Sequence, residues 1–348
     1  MHKPETPAEK ICFQTMNPTD SVCQTILDLK IKVLAGAEPS FEEAMFLAGL
    51  EDPSALECLY GAAGAITRHF HGKDVALCSL INAKSYLCPE DCGFCAQSLH
   101  YSTGARQYGL VPADEVLAAA TRAEAAGIRD FCIVTSGAEL TDEEFERVLG
   151  MFRRLRRETK LNLDGSLGWL EPERIRKLRE AGVRRINNNL QTSREHYGKI
   201  VSTHSFDKRV ESLKGLQAGG MEICAGGILG LGESREDRVR LAFELKPYSP
   251  HCIPINLLDP RPGTPLADQA PMAVTEILKT VAIFRFIHPR ANIKLAGGRE
   301  KNLSPRDQEK ALQSGANGLI VGGYLTSAGN PVSKDLEMIS RIGASIGT

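Results

Sequence analysis

The sequence predicts an α/β protein, a (β/α)8 TIM-type barrel behind a helical N-terminal extension, and three observations carry that prediction. The chain has 348 residues, 42% of them hydrophobic, enough for one full core, and barrels reach this length as a single domain. From residue 75 onward, short apolar runs alternate with amphipathic stretches. The segments that follow several of these runs are polar or rich in glycine, and the reactive face of a parallel barrel lies where its strands end.

The elements follow in order. Residues 1–72 read as a mostly helical extension, with Val22, Ile26, Leu29 and Val33 at helical spacing and a second helical run over 41–50. Residues 73–325 read as the barrel and 326–348 as a C-terminal tail. The expected strands are 75–82, 131–136, 161–167, 185–190, 222–229, 252–258, 292–296 and 318–321, each a short apolar run. Helices are expected over 114–126, 141–158, 171–181, 206–218, 234–246, 274–288 and 304–315. Thr141 followed three residues later by Glu144 has the spacing of a capping box.

Composition narrows the function. The formal net charge is −1, so no general basic field points to nucleic acid or to an anionic membrane surface. No apolar run approaches the ~20 residues needed to cross a bilayer. The first 30 residues are charged and lack the continuous apolar stretch of a secretion signal. A cytoplasmic protein is therefore expected, with its ten cysteines reduced. Cys12, Cys23 and Cys58, isolated in the extension, read as small buried apolar residues.

The local motif with the most chemistry is Cys88-Pro-Glu-Asp-Cys92-Gly-Phe-Cys95. Three thiols at this spacing on one loop can hold three irons of a cubane 4Fe–4S cluster and leave the fourth open to another ligand. A structural zinc site is the rival, but it asks for four protein ligands, and His100 is poorly spaced as the fourth. The loop follows the first strand, which sets it over the barrel mouth.

Other strand ends converge on the same face. The run from Gly226 through Ile228 and Gly230 to Glu233 could let backbone approach a nucleoside, or could simply be a tight turn. Thr135, Ser136 and Gly137 could serve an amino-acid moiety, or lead into the following helix. Asn187, Asn189 and Gln191 fall on one side of the fourth strand by period-two geometry, with Asn256 ending the sixth. Such amides suit a ligand rich in donors and acceptors, or form a structural ladder. Arg209 could meet a carboxylate, and Cys132 and Cys224 lie on strands near the interior.

Together these residues resemble the biotin synthase family of radical S-adenosylmethionine (SAM) enzymes, from about residue 40 to 335. The specific stretches are 82–98, 189–193, 224–233, 254–256, 263–266 and 297–300. The resemblance implies that Cys88, Cys92 and Cys95 bind the cluster and that SAM chelates its open iron. Reductive cleavage of SAM then yields a 5'-deoxyadenosyl radical that abstracts hydrogen, so no side chain is itself the catalyst. It also implies that Phe94 lies along the adenine, Asn189 and Gln191 near the ribose, Arg209 at the SAM carboxylate, and Gly226, Ile228 and Gly230 along the nucleoside. Asn187, Asn189 and Asn256 match positions that hold the ureido ring of dethiobiotin.

The implied activity is conversion of dethiobiotin to biotin, with sulfur supplied by an auxiliary iron–sulfur cluster, 2Fe–2S or other, in which Cys132 and Cys224 take part. A homodimer and a flavodoxin- or ferredoxin-type reductant are implied with it. The sequence departs from the family at this auxiliary site: Asp164 or Gly165 stands where a third cysteine is expected, and Lys294 where an unusual arginine ligand is expected. A related radical SAM enzyme acting on another substrate, and a non-enzymatic iron–sulfur scaffold, are the alternatives that these departures leave open.

Overall fold

A computed structural model describes residues 18–86, 88–326 and 329–347; Cys12 lies outside them. The extension consists of α1 (Pro18–Leu34), α2 (Phe41–Ala48) and α3 (Pro53–His71). Ser40 and Glu43 form a capping box at α2, and Asp52 caps α3 ahead of Pro53, whose missing N–H costs nothing in a first turn. Leu56, Leu59, Ala63 and Ile66, at helical spacing on α3, are buried. At full burial each large aliphatic among them contributes roughly 1.5–3 kcal/mol.

The barrel proper begins with β1 (Asp74–Lys84), α4 (Ala113–Ala125), β2 (Asp130–Thr135), α5 (Asp142–Glu158), β3 (Asn162–Ser166), α6 (Pro172–Glu180) and β4 (Val183–Asn187). It continues through α7 (Arg194–Tyr197), α8 (Phe206–Ala218), β5 (Glu222–Cys224), β6 (Gly227–Leu229), α9 (Arg235–Leu245) and β7 (Cys252–Leu257). The last elements are α10 (Val274–Ile287), β8 (Asn292–Leu295), α11 (Arg299–Asn302), α12 (Pro305–Gln313), β9 (Gly318–Val321), α13 (Val332–Arg341) and β10 (Ser345–Ile346). The expected capping box at Thr141 and Glu144 is present on α5.

All the strand pairings are parallel, and β9 returns to β1 in the register Ala76↔Gly318 to Ser79↔Val321, so the sheet closes as the eight-stranded barrel that the sequence predicts. The expected strand over 222–229 is interrupted into β5 and β6. At the break, a Cβ on Gly226 would lie 2.1 Å from the Pro254 carbonyl oxygen, so only glycine lets β7 approach there. Residues 332–346 are more than a tail: β10 pairs with the start of β1 in the register Asp74↔Ser345.

One expectation is corrected. Cys23 on α1 and Cys58 on α3 form a disulfide rather than two separate buried thiols. They are 35 residues apart in sequence, and the packing of α1 along α3 brings their Cα atoms to 5.8 Å, within the bonding range.

Candidate active site

Inside the barrel is a cavity of about 340 Å³, the size of a small-molecule site. Its wall follows the two-residue period of the strands: Cys78 and Leu80 from β1, Cys132 and Val134 from β2, Asp164 and Ser166 from β3, then Cys252, Pro254 and Asn256 from β7. The loops after β1, β2, β3 and β4 complete the mouth.

At the mouth stand Cys88, Cys92 and Cys95. Backbone bonds shape their loop: Cys95 N–H donates to Cys92 O (2.9 Å) and Gly93 N–H to Ile200 O (2.8 Å). Burial raises all three thiols, Cys92 to about 12. Among the described residues no three His, Cys, Asp or Glu side chains converge on one point as a mononuclear metal ion requires. A polynuclear cluster takes its thiolates at separate irons, so three thiols on one loop, Cys92 buried and Cys88 and Cys95 half-buried, fit it by donor chemistry and spacing.

Deeper in, four inward positions are cysteines. Cys132 and Cys224 are joined there by Cys78 and Cys252. Cys224 and Cys252 are register partners across β5 and β7, and Asn187 Nδ2 donates to Cys224 Sγ (3.3 Å). Each thiol acts on the other, raising Cys224 and lowering Cys252, and Lys294 and Arg185 help to hold Cys252 down against its burial. Cys78 and Cys252 are missing from the expected set, although alternation along the strands was the available signal: each is an even number of residues from Leu80 or from Pro254 and Asn256.

Beneath the thiols lies a buried ion network. Arg185 Nη2 bonds Asp130 Oδ2 (2.7 Å) and Asp164 Oδ2 (2.5 Å), while Lys294 Nζ reaches Asp130 Oδ2 (3.1 Å). Burial pushes the Asp130 carboxyl up, but Lys294, Arg185 and Arg184 outweigh it and hold it well below the usual carboxylate range. Burial dominates at Asp164 and raises it. Asp164 therefore has one oxygen committed to Arg185, and its Oδ1 is buried without a partner.

Phe94, Ser136, Gly137, Asn189, Gln191, Arg209 and Ile228 all line the cavity, as do Asn187 and Asn256. Gly226 and Gly230 do not. Gly226 N–H donates to Asn189 Oδ1 (3.0 Å) and Gly230 N–H to Glu233 Oε1 (3.0 Å), so they shape the wall from behind. Asn187, Asn189 and Gln191 share the cavity, but strand alternation is not what places them there, because β4 ends at Asn187 and Asn188 reaches the cavity too. Gln191 has φ of 72°, strained for a side chain of its kind, and its buried Oε1 has no partner.

Much of the amide row is internally satisfied. Asn187 Nδ2 donates to Asn189 Oδ1 (3.0 Å); Asn256 donates to Gly227 O (3.1 Å) and accepts from Gly297 N–H (3.0 Å). These bonds fix the amides while leaving second lone pairs and N–H groups for a ligand. The unpartnered Gln191 Oε1 and Thr135 Oγ1 beside Phe94 and Ile228 fit a nucleoside, with polar groups at its edges and apolar ones at its faces.

Comparisons with known proteins agree with this geometry. The chain matches the Radical SAM superfamily over residues 84–245 and the Biotin and Thiamin Synthesis associated domain over residues 254–345. The barrel is also that of methylornithine synthase (TM-score 0.81, 20% identity, covering 92% of this chain and 97% of that one). An FeFe-hydrogenase maturase from Carboxydothermus hydrogenoformans has it as well (TM-score 0.78, 15% identity, 94% and 81% covered). Fold and cysteine loop thus define a radical SAM protein.

Closer relatives narrow the class. Biotin synthase of Acetivibrio thermocellus is 45% identical over 317 residues, 90% of this chain and 97% of the relative. That of Clostridium tetani is 42% identical over 321 residues, 92% and 98%. The chain belongs to the biotin synthase family.

Proposed function

We propose that this protein converts dethiobiotin to biotin by radical SAM chemistry, with the inserted sulfur drawn from an auxiliary iron–sulfur cluster inside the barrel. One observation carries the reading: a single cavity holds two separate groups of thiols, Cys88, Cys92 and Cys95 at its mouth and Cys78, Cys132, Cys224 and Cys252 within, with fixed amides in the same wall. The outer group would hold the 4Fe–4S cluster and the inner group the auxiliary one. When bound, the outer cluster and SAM supply a hydrogen-abstracting radical, and the inner cluster supplies sulfur.

The chain's own residues bind, orient and exclude. Arg209 meets the SAM carboxylate, Ser136 and Gly137 flank the methionyl end, Asn189 and Gln191 meet the ribose, and Phe94 and Ile228 cover the base. Asn187, Asn189 and Asn256 hold the ureido ring. Leu80, Val134 and Ile320 keep water and stray hydrogen donors from the reacting carbons. The inner set also answers the missing third cysteine at Asp164, because four thiols supply the ligands that Cys132 and Cys224 alone do not.

The same proposal includes a homodimer, a flavodoxin- or ferredoxin-type reductant and a cytoplasmic setting. Among the described residues no helix is long and apolar enough to cross a membrane. The test is anaerobic reconstitution with iron and sulfide analysis by Mössbauer spectroscopy, followed by turnover with deuterated dethiobiotin. Two clusters per chain, deuterium in 5'-deoxyadenosine and biotin as product are expected. A single cluster with no biotin formed would refute sulfur insertion.

A further inference from the structure

We infer that Glu90 and His204 form a positioning relay that locks the Arg209 guanidinium at the cavity mouth and ties it to the cluster loop. The proposal rests on the reading of Arg209 as the partner of the SAM carboxylate and adds the residues that hold it ready.

The relay is built from two bonds. Glu90, between Cys88 and Cys92, receives His204 Nδ1 at 2.6 Å on its Oε2. On the other side of the ring, His204 Nε2 lies 3.1 Å from Arg209 Nη2. Arginine can only donate, so Nε2 must be the accepting nitrogen. The proton is then on Nδ1, where it donates to Glu90, and the imidazole is neutral. Burial and the adjacent Arg209 cation both favour that neutral form. The tautomer is therefore fixed by its two neighbours.

The rest of the guanidinium is held as firmly. Arg209 Nε donates to the Tyr197 hydroxyl at 2.8 Å, Nη1 to Asn188 Oδ1 at 3.5 Å, and the Trp169 ring lies 5.2 Å from the guanidinium carbon. Three of the five N–H groups are thus engaged, leaving one on each terminal nitrogen, the pair that a bidentate carboxylate uses. The segment that carries His204 is fastened to the same loop: Asp91 accepts from the backbone N–H of Ser202 (2.9 Å) and of Thr203 (3.1 Å). The cluster loop and the arginine therefore move as one unit. Fixing a flexible side chain before the ligand arrives lowers the entropy lost on binding.

The test measures SAM affinity from the change SAM makes in the EPR spectrum of the reduced, reconstituted protein. His204→Phe, which keeps a ring and removes both bonds, is expected to weaken SAM by about tenfold, the loss of one hydrogen bond to a charged group. Glu90→Gln retains an oxygen that accepts from Nδ1–H and is expected to stay within about twofold of wild type. Decarboxylated SAM, which gives Arg209 nothing to grip, is expected to bind wild type and His204→Phe alike; a merely structural defect would weaken both ligands. If His204→Phe binds SAM like wild type while Arg209→Gln does not, the relay is refuted and the reading of Arg209 stands. If Arg209→Gln also binds like wild type, both fall together.

Discussion

Cys224 and Cys252 face one another across β5 and β7 as register partners, inside the barrel and beneath the loop of Cys88, Cys92 and Cys95. No interior position of a barrel needs two adjacent thiols for packing, since aliphatic side chains fill such layers. With Cys78 and Cys132 in the same cavity, the pair gives the interior a soft-ligand character that suits iron and sulfide.

Cys78→Ala and Cys252→Ala are each expected to lower the iron and sulfide bound by reconstituted protein toward the content of one cluster, with the SAM-responsive EPR signal retained. Cys92→Ala is expected to abolish that signal and leave the inner site loaded. An unchanged iron content in either inner variant would remove that thiol from the auxiliary site.

Gly297 admits the ring of Tyr324 into the cavity wall: a Cβ there would lie 2.6 Å from the ring carbons Cδ1 and Cε1. Gly297→Ala is expected to cost ~1–3 kcal/mol through forced displacement of the ring. Adding Tyr324→Ala should relieve that penalty, with a coupling above about 0.5 kcal/mol in a double-mutant cycle of urea unfolding. Additive effects would mean that the two residues do not press on each other.

Arg185 carries the buried network, and Arg185→Met leaves Asp164 without its ion-pair partner and Asp130 with fewer. A loss of ~3–5 kcal/mol in unfolding free energy is expected. The pair Asp164→Leu with Arg185→Met should recover part of it, because the uncompensated charge is then gone. Denaturant midpoints of the three proteins measure this.

His288 donates from Nε2 to the Ala242 carbonyl at 2.7 Å, and burial holds its pKa down to about 4. The unfolded chain takes up a proton near pH 6.5 while the folded one does not. Its contribution to stability is therefore complete above pH 6.5 and declines as pH falls toward 4, by roughly 3 kcal/mol at most. His288→Gln keeps a donor but cannot titrate, so its melting temperature is expected to fall less steeply than that of wild type across this window. Equal slopes would exclude His288 as the acid-sensitive group.

The sequence by itself determined what local patterns encode. Apolar periodicity located all eight barrel strands, because burial on a closed sheet imposes that period regardless of partners. The triad Cys88, Cys92 and Cys95 was legible for the same reason: its ligands lie on one loop, and spacing alone brings them together. Tertiary structure decided whatever depends on residues far apart in the chain. Closure of β9 onto β1 and the register of β5 on β7 gather Cys78, Cys132, Cys224 and Cys252. Helix packing joins Cys23 to Cys58, and a loop from the fourth strand brings His204 to Glu90. Those contacts are set by how a barrel closes, a long-range condition that no stretch of sequence states on its own.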